Sequence, residues 1–277
     1  MLNRFAIFAL VCLCVSTSSG VADGTTYWQG APGAVGDWFD PSNWTNGIPS
    51  SWINSETIDN NGTARIAAGL ASGGILRVAS EQDGGLIVDG GRLEIIYSLL
   101  VGSAAESHGN ITINEGTLKS QSIELGSNFG TGSLLQNGGN VDVLFLELGG
   151  RGNWGGFGEP TDFGKGNYKL VKGSLHSAQL KVGSAGVGTF RQYSGEVSID
   201  GQLTVGGSIG AQPPLAEFHA TPINATSSFR PRAPGWVAIC RSRSRMPASF
   251  TYPALVALAA LAIASSRPLT KPLSRLL

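Results

Sequence analysis

GGLIVDGGRLEIIYSLLVGSAAES (84–107) and GNITINEGTLKSQSIELGSNFGT (109–131) are the lines on which the fold turns. Laid over one another they share a frame. Glycine stands at Gly84 and Gly109 and again seven residues on, at Gly91 and Gly116. Apolar residues fall two and nine residues after the start, at Leu86 and Ile111 and at Leu93 and Leu118. Each line then closes on an apolar-x-apolar-Gly step, Leu99 with Val101 and Ile123 with Leu125. Working outward, the same frame opens at Gly62, Gly132, Gly166 and Gly188, so six copies stand 22, 25, 23, 34 and 22 residues apart.

Alternation of apolar and polar residues inside each copy is the period of a half-buried strand. Glycine at fixed offsets supplies the turns, since it takes φ > 0 without steric cost. One such unit cannot bury its apolar face alone, but stacked units form a continuous core. The sequence therefore predicts an all-β chain, a parallel β-helix or β-solenoid of about six coils of ~22 residues. An antiparallel sandwich also has short strands and Gly turns. It has no reason to repeat one register.

The long interval holds an insertion, GRGNWGGFGEPTDFGK (150–165). Insertions in solenoids map to loops that often form the binding face. Trp154, Phe157 and Phe163 beside Glu159 and Asp162 make this the candidate carbohydrate contact, aromatic rings for stacking and acids for hydroxyls. The competing reading is a Gly-rich loop whose aromatics fold back on the coil wall.

Ahead of the coils, residues 23–61 carry Trp28, Trp38, Trp44 and Trp52. An open solenoid end exposes strand edges and core, so this segment is read as an N-terminal cap, with a sugar-binding Trp platform as the alternative. Its pattern W-x-G, then G-D-W-x-D-P-x-N-W-x-x-G-x-P, resembles the leading segment of secreted bacterial repeat proteins similar to autotransporter passenger β-helices. The resemblance covers about residues 25–207. It implies a parallel β-helix outside the cell and says almost nothing of activity.

The ends carry other signals. Arg4, the apolar run Phe5–Val15 and the small residues to Ala22 read as a signal peptide over residues 1–22, which implies secretion or the cell surface. That leaves Cys240 as the one cysteine of the mature chain, so neither a disulfide framework nor a Cys-based metal site is expected. The net charge of zero is split: residues 23–212 hold 18 acids against 10 bases, and residues 213–277 one acid against eight bases. Residues 213–249, rich in Pro, Arg and Ser, read as a poorly ordered basic linker, and residues 250–277 as a short apolar segment with a basic end. An apolar run followed by bases resembles a PEP-CTERM sorting tail, although the Pro-Glu-Pro signature is missing. A shift of reading frame after the last coil is the alternative. Membrane contact is expected only through the signal peptide or this weak apolar segment. The cluster Arg241, Arg243 and Arg245 could meet nucleic acid, but for an exported chain no such partner is expected.

No catalytic residue is assigned, and no metal or cofactor is expected. His108, His176 and His219 share no metal-ligand spacing, and there is no phosphate loop or nucleophile elbow. Glu124 and Glu147 occupy one position in adjacent coils with Lys181 near in register, which reads as a charged ladder on an outer wall. The favoured function is a non-enzymatic structural or adhesive surface protein, with extracellular polysaccharide or cell-surface components as partners. The alternative is a polysaccharide-binding module, lyase or hydrolase on the same scaffold.

Overall fold

A computed structural model describes residues 24–50, 55–150, 163–206, 216–219, 223–225 and 239–240. The chain is a parallel β-solenoid. Its strands are β1 (Thr25–Tyr27), β2 (Val35–Asp37), β3 (Ser55–Ile58), β4 (Thr63–Ile66), β5 (Leu70–Val78), β6 (Gly84–Val101), β7 (His108–Leu125) and β8 (Thr131–Gln136). They continue as β9 (Asn140–Leu148), β10 (Lys165–Leu170), β11 (Ser174–Val182), β12 (Val187–Gln192), β13 (Glu196–Val205), β14 (Ala216–His219), β15 (Ile223–Ala225) and β16 (Ile239–Cys240). Every pairing between named strands is parallel, and all sixteen belong to one sheet.

Counting coils from one at Gly62 to six at Gly188, each lays down three short walls. In coil two these are Gly84–Val88, Arg92–Ile95 and Ser98–Val101, each paired residue by residue with coil three. The turn between the first two walls needs a left-handed residue in most coils: Gly116 has φ 86° and Gly195 φ 83°. The corner between the second and third walls is a bulge, with register shifts at Ile95/Ser98 and Ser177/Gln179. The extra residue bends the strand and turns the wall.

Stacking puts equivalent side chains in rows. Along the inside of the third wall run Thr26, Glu56, Leu76, Leu99, Ile123, Leu146, Leu180 and Leu203, in register from coil to coil. The starting glycines stack likewise, Gly84 with Gly109 and Gly132 with Gly166 and Gly188. At Gly109 and Gly166 a Cβ would strike backbone of the preceding coil, which is why the frame keeps glycine there. Each apolar residue taken into the core contributes about 2 kcal/mol. The core is one continuous cluster from Trp28 to Val205.

The ladder begins inside the leading segment, at Thr25, and the outer edge of β1 is covered. Thr45 N–H donates to Tyr27 O (2.9 Å) and Gln29 N–H to Asn43 O (2.7 Å), so Asn43–Thr45 covers β1 from outside. Trp28 packs edge-on to Trp44 at 5.0 Å, and Trp44 to Trp38 at 4.8 Å. Gly30, Gly36 and Gly62 lie against the Trp28 ring with no room for a Cβ. Past the last full repeat the ladder goes on: β14 pairs with β12, and β15 with β13. These strands lie beyond the six copies of the frame because they no longer carry its glycine spacing.

Candidate functional site

The three cap tryptophans are 3% (Trp28), 0% (Trp38) and 3% (Trp44) exposed. A ring at that exposure cannot stack a sugar, so the Trp-platform alternative is corrected for these three: they are core. Trp52 lies outside the described residues. So do Trp154, Phe157, Glu159 and Asp162 of the candidate carbohydrate contact. Phe163 is placed, half-buried, just before Gly164, whose carbonyl accepts from Val187 N–H at 2.9 Å. The structure thus positions Phe163 where the ladder resumes.

Just before the insertion, the third wall carries Glu124, Glu147 and Lys181 in one outward row of coils three to five. Stacked strands hold such residues ~4.8 Å apart. Both carboxylates lie close to Gly150: a Cβ there would meet Glu124 Oε1 at 2.8 Å and Glu147 Oε1 at 3.3 Å. Coils three and five place Ser127 and Ser184 after the closing glycine, where coil four has Gly150. Without a hydroxyl of its own coil, Glu147 accepts from Ser184 Oγ of the next. Glu124 is half-buried, and its pKa rises to about 7. Lost hydration is the main cause and the Glu147 charge the second, with the Ser127 hydroxyl opposing them. The ladder expected from sequence is present. Partial burial, which sequence could not show, sets Glu124 apart from an ordinary exposed rung.

On the second wall His176 Nδ1 lies 3.0 Å from Asp142 Oδ1, and its Nε2 lies 2.7 Å from Asp200 Oδ2. The ring bridges coils four, five and six from outside. Those two hydrogen bonds raise its pKa. Around the first turn, Asn137 donates to Asn114 (2.9 Å) and Asn114 to Asp89 (3.3 Å), while Arg65 pairs with Asp89. These rows tie coil to coil.

A hollow of about 670 Å³ lies against the cap on the third wall, lined in part by Tyr27, Thr57, Asp59 and Arg77. Its Asp59 and Arg77 are already engaged. Asp59 Oδ1 accepts from the backbone N–H of Ser80 (3.0 Å), Glu81 (2.8 Å) and Gln82 (2.6 Å), and Arg77 donates to Ser55. Among the described residues no group of three or more His, Cys, Asp or Glu is placed to hold a metal ion. Set against models of known families, curated proteins and solved structures, the chain matches none.

Proposed function

We propose that the chain is a secreted or cell-surface structural scaffold with an adhesive role, akin in kind to autotransporter-type β-helices. One observation carries this reading. The outer walls use their charged and amide side chains to join coil to coil, as in Asp142–His176–Asp200 and Arg65–Asp89–Asn114–Asn137. Such rows stiffen a rod. The signal-like residues 1–22 support export.

The test is to express the full chain in an exporting bacterium and weigh what reaches the surface or medium. Export with a mass beginning near Asp23 supports the reading. Retention in the cytoplasm with Met1 still attached overturns it. The same spectrum shows whether the tail after residue 212 is cleaved, as a sorting signal requires.

The Glu124–Glu147 pair favours a second reading, a polysaccharide-acting enzyme. A pair of carboxyls is the equipment of glycoside hydrolysis, and a carboxyl with pKa about 7 can serve as general acid or base. Polymer cleavage by the parent chain that disappears in Glu124→Gln would establish that reading. Absence of cleavage across acidic and neutral polysaccharides would leave the scaffold.

A further inference from the structure

The first wall of coils five and six differs from the rest of the rod. Residues 23–212 are net acidic, yet the two strands of this wall, Lys165–Leu170 and Val187–Gln192, hold no acid and present Lys165, Lys169 and Arg191 outward, all exposed. Lys172 is exposed in the turn that follows the first of them. Lys169 and Arg191 stand directly opposite in register. Like charges so placed on neighbouring strands are destabilising, and no carboxylate among the described residues pairs with Lys165, Lys169 or Lys172. Along the second wall, by contrast, facing charges are matched in sign: Glu94 stands opposite Lys119, Lys119 opposite Asp142, and Asp142 bonds His176.

Beside the two cations lies Tyr193, 61% exposed, more than any other large apolar side chain described. Its backbone is held by the bond from its N–H to Leu170 O (2.7 Å), and Lys169 Nζ sits 5.0 Å from the ring centroid. An exposed aromatic ring with a cation over one face offers a second face for stacking and charge at one place. Arg191 already shows what it takes: Glu217, the single acid of residues 213–277, places its carboxylate 3.0 Å from the guanidinium.

We infer that this wall, centred on Lys169, Arg191 and Tyr193, binds an anionic polysaccharide, with uronate-type carboxylates on the cations and a sugar ring on the tyrosine. The inference gives the adhesive scaffold its ligand class and rests on that reading for an extracellular partner. Glu217 then competes with the ligand for Arg191.

The test is affinity electrophoresis of the full chain through gels containing polygalacturonate, with dextran as the neutral control. The parent should be retarded by polygalacturonate and not by dextran. Lys169→Gln and Tyr193→Ala should each weaken binding roughly fivefold, and Glu217→Gln should tighten it by freeing Arg191. All three positions are on the surface, and circular dichroism should give parent-like melting. No retardation by polygalacturonate would overturn the site, as would equal retardation of parent and variants, which would assign binding to the basic tail. Equal binding of single-stranded DNA that ignores Tyr193→Ala would reduce the wall to a general polyanion surface and overturn a saccharide site. An exported chain that fails to bind refutes the site alone. A chain that is retained in the cytoplasm yet binds through these residues refutes the scaffold's location and keeps the site.

Discussion

Replacing Glu56 by glutamine should make the protein more stable at neutral pH and flatten its response to pH. Glu56 stands in the inner row of the third wall between Thr26 and Leu76, and it is 0% exposed. Oε1 accepts from Gly74 N–H at 3.4 Å, and Oε2 has no partner among the described residues. The carboxyl is pressed on the chain of the next coil: a Cβ on Gly73 would sit 2.5 Å from Oε2. Lost hydration raises its pKa from 4.5 to about 8, against smaller opposing effects of the Gly74 N–H and the Arg77 charge. Between those two values the folded chain keeps a proton that the unfolded chain has released. Stability therefore falls as pH rises, by 1.36 kcal/mol per pH unit. From pH 4.5 to pH 7 the loss is about 3 kcal/mol, a large part of the total for a domain. Glutamine keeps the shape and cannot ionise. Urea unfolding of parent and Glu56→Gln at pH 5, 6, 7 and 8 isolates the residue, because every other titration is common to both. The gap between them should open with pH to about 3 kcal/mol at pH 7 in favour of glutamine. Parallel curves from pH 5 to pH 8 would refute the reasoning and mean that Glu56 is ionised and solvated in the native rod.

Gly126→Ala should cost about 3 kcal/mol in urea unfolding, since Gly126 has φ 73° and a Cβ there would overlap the Lys165 carbonyl of the neighbouring coil. A loss below 1 kcal/mol would mean that the coils are not in van der Waals contact at this turn. Tyr168→Phe removes the 2.6 Å bond from the phenol to Gln136 Oε1 and leaves that oxygen without it in the core, an expected loss of about 1–2 kcal/mol by the same assay. His176 should titrate above the ordinary histidine value by NMR, and Asp142→Asn and Asp200→Asn should each bring it down. Its contribution is full below the unfolded pKa and is lost as pH rises through the folded one; a normal midpoint in the parent would remove the bridge across three coils.

The coils were legible because stacking imposes one residue type on each row. A row of starting glycines or of third-wall leucines must recur at the coil period, so the frame read from Gly84 and Gly109 is the pairing register itself. Outward positions follow by alternation, which placed the Glu124–Glu147–Lys181 row on the outer wall. What alternation cannot supply is the corner. Two residues separate Ile95 from Ser98 and Ile199 from Gln202, but one separates Ser177 from Gln179, and these corners decide that Ile96 and Tyr97 face solvent and that Asp200 reaches back to His176. Glu56 was missed for a different reason. It precedes the first glycine frame, in a segment read only as a cap. Counting back two from the apolar Ile58 would have turned it inward. The first-wall patch went unread because each coil contributes only one or two of its residues.

The polar groups inside the core sort by what they do for the backbone, and Glu56 falls outside the pattern. Ser120 Oγ donates to Ser122 O and Ser177 Oγ to Gln179 O, both at 2.8 Å, so each serine ties down a carbonyl just past its corner. Gln136 Nε2 donates to Gly139 O at 3.0 Å, and Gln192 Nε2 to Gly195 O at 2.8 Å, doing the same for the left-handed turn. Gly139 O also accepts from Ser174 N–H at 3.0 Å, so Gln136 adds a second donor there, and all four side chains tie the corners and turns to the core. They are internal consequences of the architecture, and apolar residues in their places should weaken the corners. Glu56 satisfies no carbonyl; it accepts one long bond from Gly74 and faces two glycines of the next coil. In that next coil Gly73 stands in the row that Ile95, Ser120, Val143 and Ser177 fill elsewhere. The missing side chain and the oversized acid fit one another, so restoring Gly73 to serine should be tolerated only once Glu56 is shortened.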